Sequence, residues 1–375
     1  MIKKIDYVGK VVYMGIDVHK KTFTCVSVCE GVIVNKVTMP AISEGLLNYM
    51  KKFFPGAKIN SAYEAGFSGF HLHRYLIQNG INNIVVHPAS IEISSRDRVK
   101  TDKRDAKKIA VQLSTHRLRG IFVPSLEQEC KRNVSRLRTN FIKSRHQVGA
   151  RLKSLLFTQG LIDVDDETKV SKKWMREKLL EIEKKELPSD LYYCANKYAE
   201  EWNHLTEKMK EIEKQFKAQT QREKDILAIY ESVPGIALIN ARQLADELGD
   251  MSQFQNEKQL FSYTGLTPSE YSSGEHTRQG HISRQGRSVF RKVLVEASWM
   301  GIAKDPNLRE IYDRISVRSG GKRAIVAVAR RLVGRMRSCL LSGTLYEIKM
   351  KKVEEINHSI NTNNEKDIVQ EVAVF

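Results

Sequence analysis

Residues 11–115 alternate apolar and amphipathic stretches in one order, and that order restricts the available folds more than any other feature. Residues 11–17 form an apolar run that ends in an acid, Asp17. Residues 22–28 and 32–38 are rich in β-branched side chains, with Gly31 as a turn between them. Three strands with short connections predict an antiparallel meander. Residues 42–54 have helical periodicity and stop at Pro55-Gly56. Residues 59–63 form a short strand ending at Glu64. A helix over 66–78 closes at Asn79-Gly80, and a buried strand over 84–86 stops at His87-Pro88. A last helix runs to about Thr115. Strand, strand, strand, helix, strand, helix, strand, helix belongs to the α/β class.

The acids in this order are placed for chemistry. Asp17 and Glu64 end strands. Asp102 and Asp105 stand three residues apart, so on a helix start they share a face. Alone, that pair reads first as a solvated face and second as half of a metal site. Arg96, Arg98, Lys100, Lys103, Arg104, Lys107 and Lys108 surround it. The element order fits a ribonuclease H-like sheet, whose acids lie at the ends of the first and fourth strands and on a later helix. Hard divalent cations prefer oxygen ligands, and four such carboxylates suit two Mg²⁺ about 4 Å apart. His19 and Lys20 lie close to Asp17. Lys20 is a phosphate contact or a structural residue, and His71 and His73 read as packing residues.

Charge narrows the partner. Lys and Arg number 62 against 44 Asp and Glu, a net +18, which points to a polyanion, nucleic acid before membrane. No apolar run approaches the roughly 18 residues of a spanning helix, and the N-terminus lacks a secretory pattern. Five scattered cysteines without a C-x-x-C suit a reducing compartment. The expectation is a cytoplasmic, nucleoid-associated protein.

Beyond residue 126 the pattern changes. Val134, Leu137, Phe141, Val148, Leu152 and Leu155 give a long helical stripe, and no acid occurs from 131 to 157. Its one-signed face makes Arg132, Arg136, Arg138, Lys143 and Arg145 candidate contacts to a phosphate backbone. Residues 172–225 mix charge signs and read as two helices of a coiled arm. A new globular unit starts near Ile226. Val233-Pro234-Gly235-Ile236 is a phosphate grip or a plain helical corner. Residues 269–285 form a polar loop with Ser272, Ser273, His276, His281 and Ser283, and loops of that length are often functional. Both histidines read as incidental. Three helices follow over 288–301, 306–316 and 323–342. Residues 278–337 hold 15 Lys/Arg against 4 Asp/Glu, which makes Arg284, Arg287 and Arg291 further candidate contacts. The expected divisions are 1–125, 126–225, 226–345 and a polar tail over 346–375.

With Gly15-Ile16-Asp17-Val18-His19-Lys20, Tyr63-Glu64-Ala65-Gly66 and Lys100-Thr101-Asp102-Lys103-Arg104-Asp105-Ala106 in place, the chain resembles a known family. It is similar to the DEDD transposases of bacterial insertion sequences, the one-ten and eleven-eleven groups, described as bridge-RNA-guided recombinases. Gly265-Leu266-Thr267-Pro268, Tyr271-Ser272-Ser273-Gly274 and the segment from Gly280 to Gly286 resemble its C-terminal domain. The resemblance implies a RuvC-like N-terminal domain, a coiled-coil arm and a mainly helical C-terminal domain. It implies Mg²⁺ on Asp17, Glu64, Asp102 and Asp105, and Ser273 as a nucleophile that forms a covalent phosphoserine link to DNA. Ser272 stands directly before it. Implied partners are donor and target DNA, a structured guide RNA, and further copies of the chain, from dimer to tetramer. Other classes the residues admit are a RuvC-like nuclease or junction resolvase with no covalent intermediate, an actin-like ATPase, and a non-enzymatic nucleic-acid-binding scaffold.

Overall fold

The computed structural model describes residues 6–92, 101–220, 223–270 and 279–348. Arg96, Arg98 and Lys100, the serines Ser272 and Ser273, His276 and residues 349–375 of the expected tail lie outside the described residues, while Tyr346 at its start is buried. The chain divides into two compact units, Met1–Pro124 and Ser125–Phe375.

The first unit is a five-stranded sheet with helices on both faces. Its strands are β1 Val11–Val18, β2 Thr22–Cys29, β3 Val32–Pro40, β4 Lys58–Glu64 and β5 Asn82–Val86. Its helices are α1 Ser43–Phe53, α2 His71–Gln78 and α3 Asp102–Ser114. The strand order is β3-β2-β1-β4-β5. β1, β2 and β3 form the expected antiparallel meander, while β4 and β5 run parallel to β1 and its extension. Glu30 and Gly31 both take positive φ between β2 and β3, the conformation a two-residue hairpin turn requires. This mixed sheet followed by helices fits a ribonuclease H-like domain with a helical remainder.

Alternation along the strands sorts the side chains between two cores. Val12, Met14 and Ile16 of β1 pack with Leu46 and Met50 of α1 and Leu72 and Leu76 of α2. The odd-numbered residues of β1 take the other face, under α3. Gly15 is the point of closest approach. A Cβ there would lie 2.1 Å from the Ala106 carbonyl oxygen and 2.4 Å from the Ala110 nitrogen. Ala106 and Ala110 are fully buried against Val26 and Val28 of β2. A strand glycine and two helical alanines one turn apart thus bring helix backbone onto strand backbone.

The second unit is almost entirely helical. Three helices, α4 Leu126–Thr158, α5 Lys172–Lys184 and α6 Ser189–Thr220, share a core of Leu152, Leu156, Trp174, Ile182, Leu191 and Ala195. α4 has 33 residues, about 50 Å of helix, and starts at Ser125, whose hydroxyl accepts the Gln128 N–H. The remaining helices are α7 Lys224–Ser232, α8 Leu238–Leu248, α9 Glu257–Thr264, α10 Ser288–Lys304, α11 Pro306–Ser319 and α12 Gly321–Ser342. They bury a common core that includes Tyr230, Leu244, Leu260, Leu294, Leu308 and Leu332. Between α9 and α10 the chain forms a ribbon, β6 Pro268–Glu270 with β7 Gln279–Ile282. The sequence reading had a continuous loop over 269–285. Strands of three and four residues are too short to show alternation, so the pairing left no periodic signal.

Long-range ion pairs join α4 to α8. Arg132 is buried and donates to the Glu247 carbonyl at 2.8 Å, capping the C-terminal turn of α8. The Arg136 guanidinium donates both Nε and Nη2 to the Glu247 carboxylate, at 2.7 and 2.9 Å.

Two stability predictions follow from these contacts. Gly15→Ala should lower the thermal unfolding midpoint, because overpacking a rigid backbone contact costs about 1–3 kcal/mol or more. A wild-type midpoint would show that α3 can retreat from β1. Glu247→Ala should destabilise by about 3 kcal/mol in denaturant unfolding, since it strands Arg136 and Arg132 without their carboxylate.

Candidate metal centre

The face-sorting of the first unit assembles the site. Asp17 follows Tyr13 and Gly15 on the α3 face of β1. Glu64 follows Ala62, which packs in the core beneath α3 with Val86, Ile109 and Leu113. Ile16 pairs with Tyr63 across parallel β1 and β4, so Asp17 and Glu64 leave adjacent strands at the same level and on the same face. The docking of α3 at Gly15 sets its first turn, with Asp102 and Asp105, beside Asp17.

The electrostatics record the proximity. Burial pushes the Asp17 carboxyl above the usual aspartate range, and the nearby charges of Asp102, Asp105 and Glu64 push it further, against the opposing pull of His19. The His19 imidazole is held above its ordinary range, chiefly by Asp17. Its Nε2 lies 3.2 Å from an Asp17 carboxylate oxygen and 3.1 Å from one of Asp102. Lys108 approaches Asp105 from the next turn, at 3.4 Å.

Asp17, His19 and Asp102 place one donor atom each within 4.8 Å of one another. Two carboxylate oxygens and an imidazole nitrogen fit a divalent transition or alkaline-earth ion. Among the expected four acids, Asp17 and Asp102 converge directly. Glu64 is exposed on the adjacent strand end. Asp105 is half-buried and engaged by Lys108. His19 is the member that sequence reasoning passed over. The signal was its position two residues after a strand-terminal acid, in a tight turn whose His19 N–H donates to the Thr22 carbonyl at 2.9 Å.

The basic candidates separate into two groups. Arg132 and Arg136 are taken up by α8, and Arg138 donates to Glu213 of α6 at 2.6 Å. Arg291 braces the chain before α10, donating at 3.3 Å to the carbonyls of Thr264, Gln285 and Gly286. Each of these four thus has partners within the chain. The acid-free stretch of α4 finds its counter-charges on α6 and α8, more than 70 residues away, where a local charge count does not look. Arg145 stacks over Trp202, 5.1 Å from the ring centroid. Arg287 is half-exposed, 3.6 Å from Glu247. Lys143 and Arg284 are exposed. Arg284 adopts φ 54° in the chain leading from β7 to α10.

Comparison with known proteins matches both units. A family model for the DEDD transposase of IS110 matches residues 14–158, and one described as transposase of the IS116/IS110/IS902 family matches residues 227–313. The chain belongs to this family of DEDD transposases. A putative transposase, y4qE, of Sinorhizobium fredii is 29% identical over 63% of the chain and 57% of its own length. A second from that organism, y4rJ, is 27% identical over 79% of the chain and 80% of its own. The transposase for insertion sequence element IS1533 of Leptospira borgpetersenii is 27% identical over 85% of the chain and 93% of its own. The first family match spans Asp17, His19, Glu64, Asp102 and Asp105, and the second spans the ribbon and Ser273. The family also suggests dependence on a divalent metal, which the acidic cluster of this transposase suits.

Metal binding should depend on pH with a defined sign. A cation binds the ionised carboxylate and the neutral imidazole. Asp17 loses its proton at higher pH than an ordinary aspartate, and His19 at higher pH than an ordinary histidine. Affinity should therefore rise with pH through both titrations. The increase in thermal midpoint produced by Mn²⁺ should grow from about pH 5 to about pH 8 and be lost in Asp17→Asn. A Mn²⁺ effect that is flat over that range would count against this site.

Proposed function

We propose that this protein is a DNA transposase that breaks and rejoins DNA strands by phosphoryl transfer, with Asp17, Glu64, Asp102 and Asp105 as its metal-binding acids and Ser273 as its nucleophile. The observation that carries the reading is the convergence of acids from β1, β4 and α3 on one edge of the sheet. Gathering four carboxylates is unfavourable without a cation among them; burial raises the Asp17 carboxyl, the neighbouring acids add to it, and the Asp17 charge holds His19 up.

Mg²⁺ is the proposed ion, two per site, and when bound it would polarise the scissile phosphate and neutralise developing charge. Asp17 and Asp102 would hold it directly. Glu64, exposed on the neighbouring strand end, and Asp105, steadied by Lys108, complete the donor set. Serine is a weak nucleophile at neutral pH, so Ser273 needs a polarised phosphate or a base to accept its proton. In sequence, Ser273 falls between β6 and β7 of the ribbon. The excess of cations supports DNA as substrate. A structured guide RNA, the coiled-coil character of the α4–α6 arm, and assembly of two to four copies are proposed on the resemblance to the family.

Asp17→Asn and Asp105→Asn should each reduce strand cleavage by at least about 10²-fold while leaving DNA binding intact. Ser273→Ala should abolish covalent protein–DNA adducts, scored by denaturing gel after trapping on a labelled donor substrate. Adducts that persist in Ser273→Ala would remove the serine, and cleavage without any adduct in the wild type would identify a hydrolytic nuclease instead.

A further inference from the structure

The corner between α11 and α12 carries cations with no carboxylate partner among the described residues. Arg314, Arg318, Lys322, Arg323 and Arg331 are all exposed. Among the described residues, none has a carboxylate within ion-pair distance. The two nearest acids in sequence are otherwise engaged. Asp313 is held by Arg309 at 2.9 Å, and Glu310 has a partner of its own. Four exposed lysines of the arm helices differ: Lys172, Lys197, Lys208 and Lys210 each meet a glutamate, at 3.0, 2.8, 3.2 and 3.1 Å. Cations matched in this way make a solvated face. A cluster of neighbouring cations with no carboxylate among them stores self-repulsion, which a polyanion would relieve.

The corner is also preformed. Gly320 takes φ 82° and ends α11, and α12 begins at the next residue. A Cβ on Gly321 would lie 2.9 Å from the Tyr312 hydroxyl, and Tyr312 packs against Trp299 with ring centroids 5.6 Å apart. The first turn of α12 has no acid and no side-chain cap, and Lys322 and Arg323 occupy it against the helix dipole. Arg314 and Arg318 are one turn apart on α11, about 6 Å along its axis, close to two phosphate rises of about 3.4 Å on one DNA strand. Val317, on the same turn, is 91% exposed. The family match to this unit ends at residue 313, so the patch lies beyond the matched region.

We propose that the α11–α12 corner is a docking surface for the phosphate backbone of double-stranded DNA, bound independently of the metal centre. The choice of DNA rests on the proposed transposase activity. The test uses the full-length protein in EDTA, with a fluorescein-labelled DNA duplex titrated by anisotropy at several salt concentrations. Replacing four cations together (Arg314→Gln, Arg318→Gln, Lys322→Gln, Arg323→Gln) should flatten the slope of log affinity against log salt by about 3 to 4, because each lost phosphate contact removes about 0.9. A control carrying Lys172→Gln, Lys197→Gln, Lys208→Gln and Lys210→Gln should keep the wild-type slope, and both variants should retain the wild-type circular dichroism. An unchanged slope in the corner variant overturns the proposal. So does a loss confined to an RNA duplex of the same sequence, or a wild type that does not bind the DNA duplex. Because no turnover is involved, a flattened slope in a protein that cleaves nothing would keep the surface and remove the catalytic reading.

Discussion

The contact of α3 with β1 at Gly15 is the constraint on which the candidate site depends. No other residue type leaves room for the Ala106 carbonyl and the Ala110 nitrogen to lie directly over the strand. Ala106 and Ala110 lie one turn apart and are both fully buried, so the helix meets the sheet along a line of small side chains. Close approach of backbones substitutes here for interdigitated side chains. The result is positional accuracy for the first turn of α3, since a helix fixed at its second and third turns has little freedom to move its first. Asp102 therefore meets Asp17 through His19 with both distances near 3 Å. A larger residue at 15 would shift the helix outward and open that arrangement.

The same sheet shows why like charges gather where they do. Alternation sends Asp17 and Glu64 to the α3 face at the ends of parallel neighbours, the edge at which α/β sheets place their ligands. The protein offsets the repulsion with the cations it has nearby, His19 between two carboxylates and Lys108 on a third. Burial of Asp17 sharpens the effect, because a carboxylate removed from water interacts more strongly with every neighbour.

In the helical unit, electrostatics serves packing first. Arg132 and Arg136 reach from α4 to the end of α8, and Arg138 reaches α6, so a strip of sequence without acids becomes a set of satisfied ion pairs. At the α11–α12 corner, by contrast, neighbouring exposed cations have no carboxylate partner among the described residues. A protein of net +18 thus uses part of its positive charge to hold its helices together.

Periodicity and punctuation were sufficient for the first unit. The strand runs, the Gly31 turn, the Pro55-Gly56 stop and the acids at strand ends are each signals carried by a few neighbouring residues, and local physics acts at that range. Three things were not legible. His19 bridges residues 85 positions apart, which only the docking of α3 can arrange. The β6–β7 ribbon pairs strands too short to alternate. The fate of the α4 arginines was decided by glutamates more than 70 residues away in sequence. The amino-acid sequence by itself determined the α/β class, the order of elements and which acids could meet, because alternation and helical spacing are properties of neighbouring residues. Tertiary structure alone decided which of those side chains touch and which charges are already spent, because burial and ion pairing depend on distances through space that no local pattern encodes.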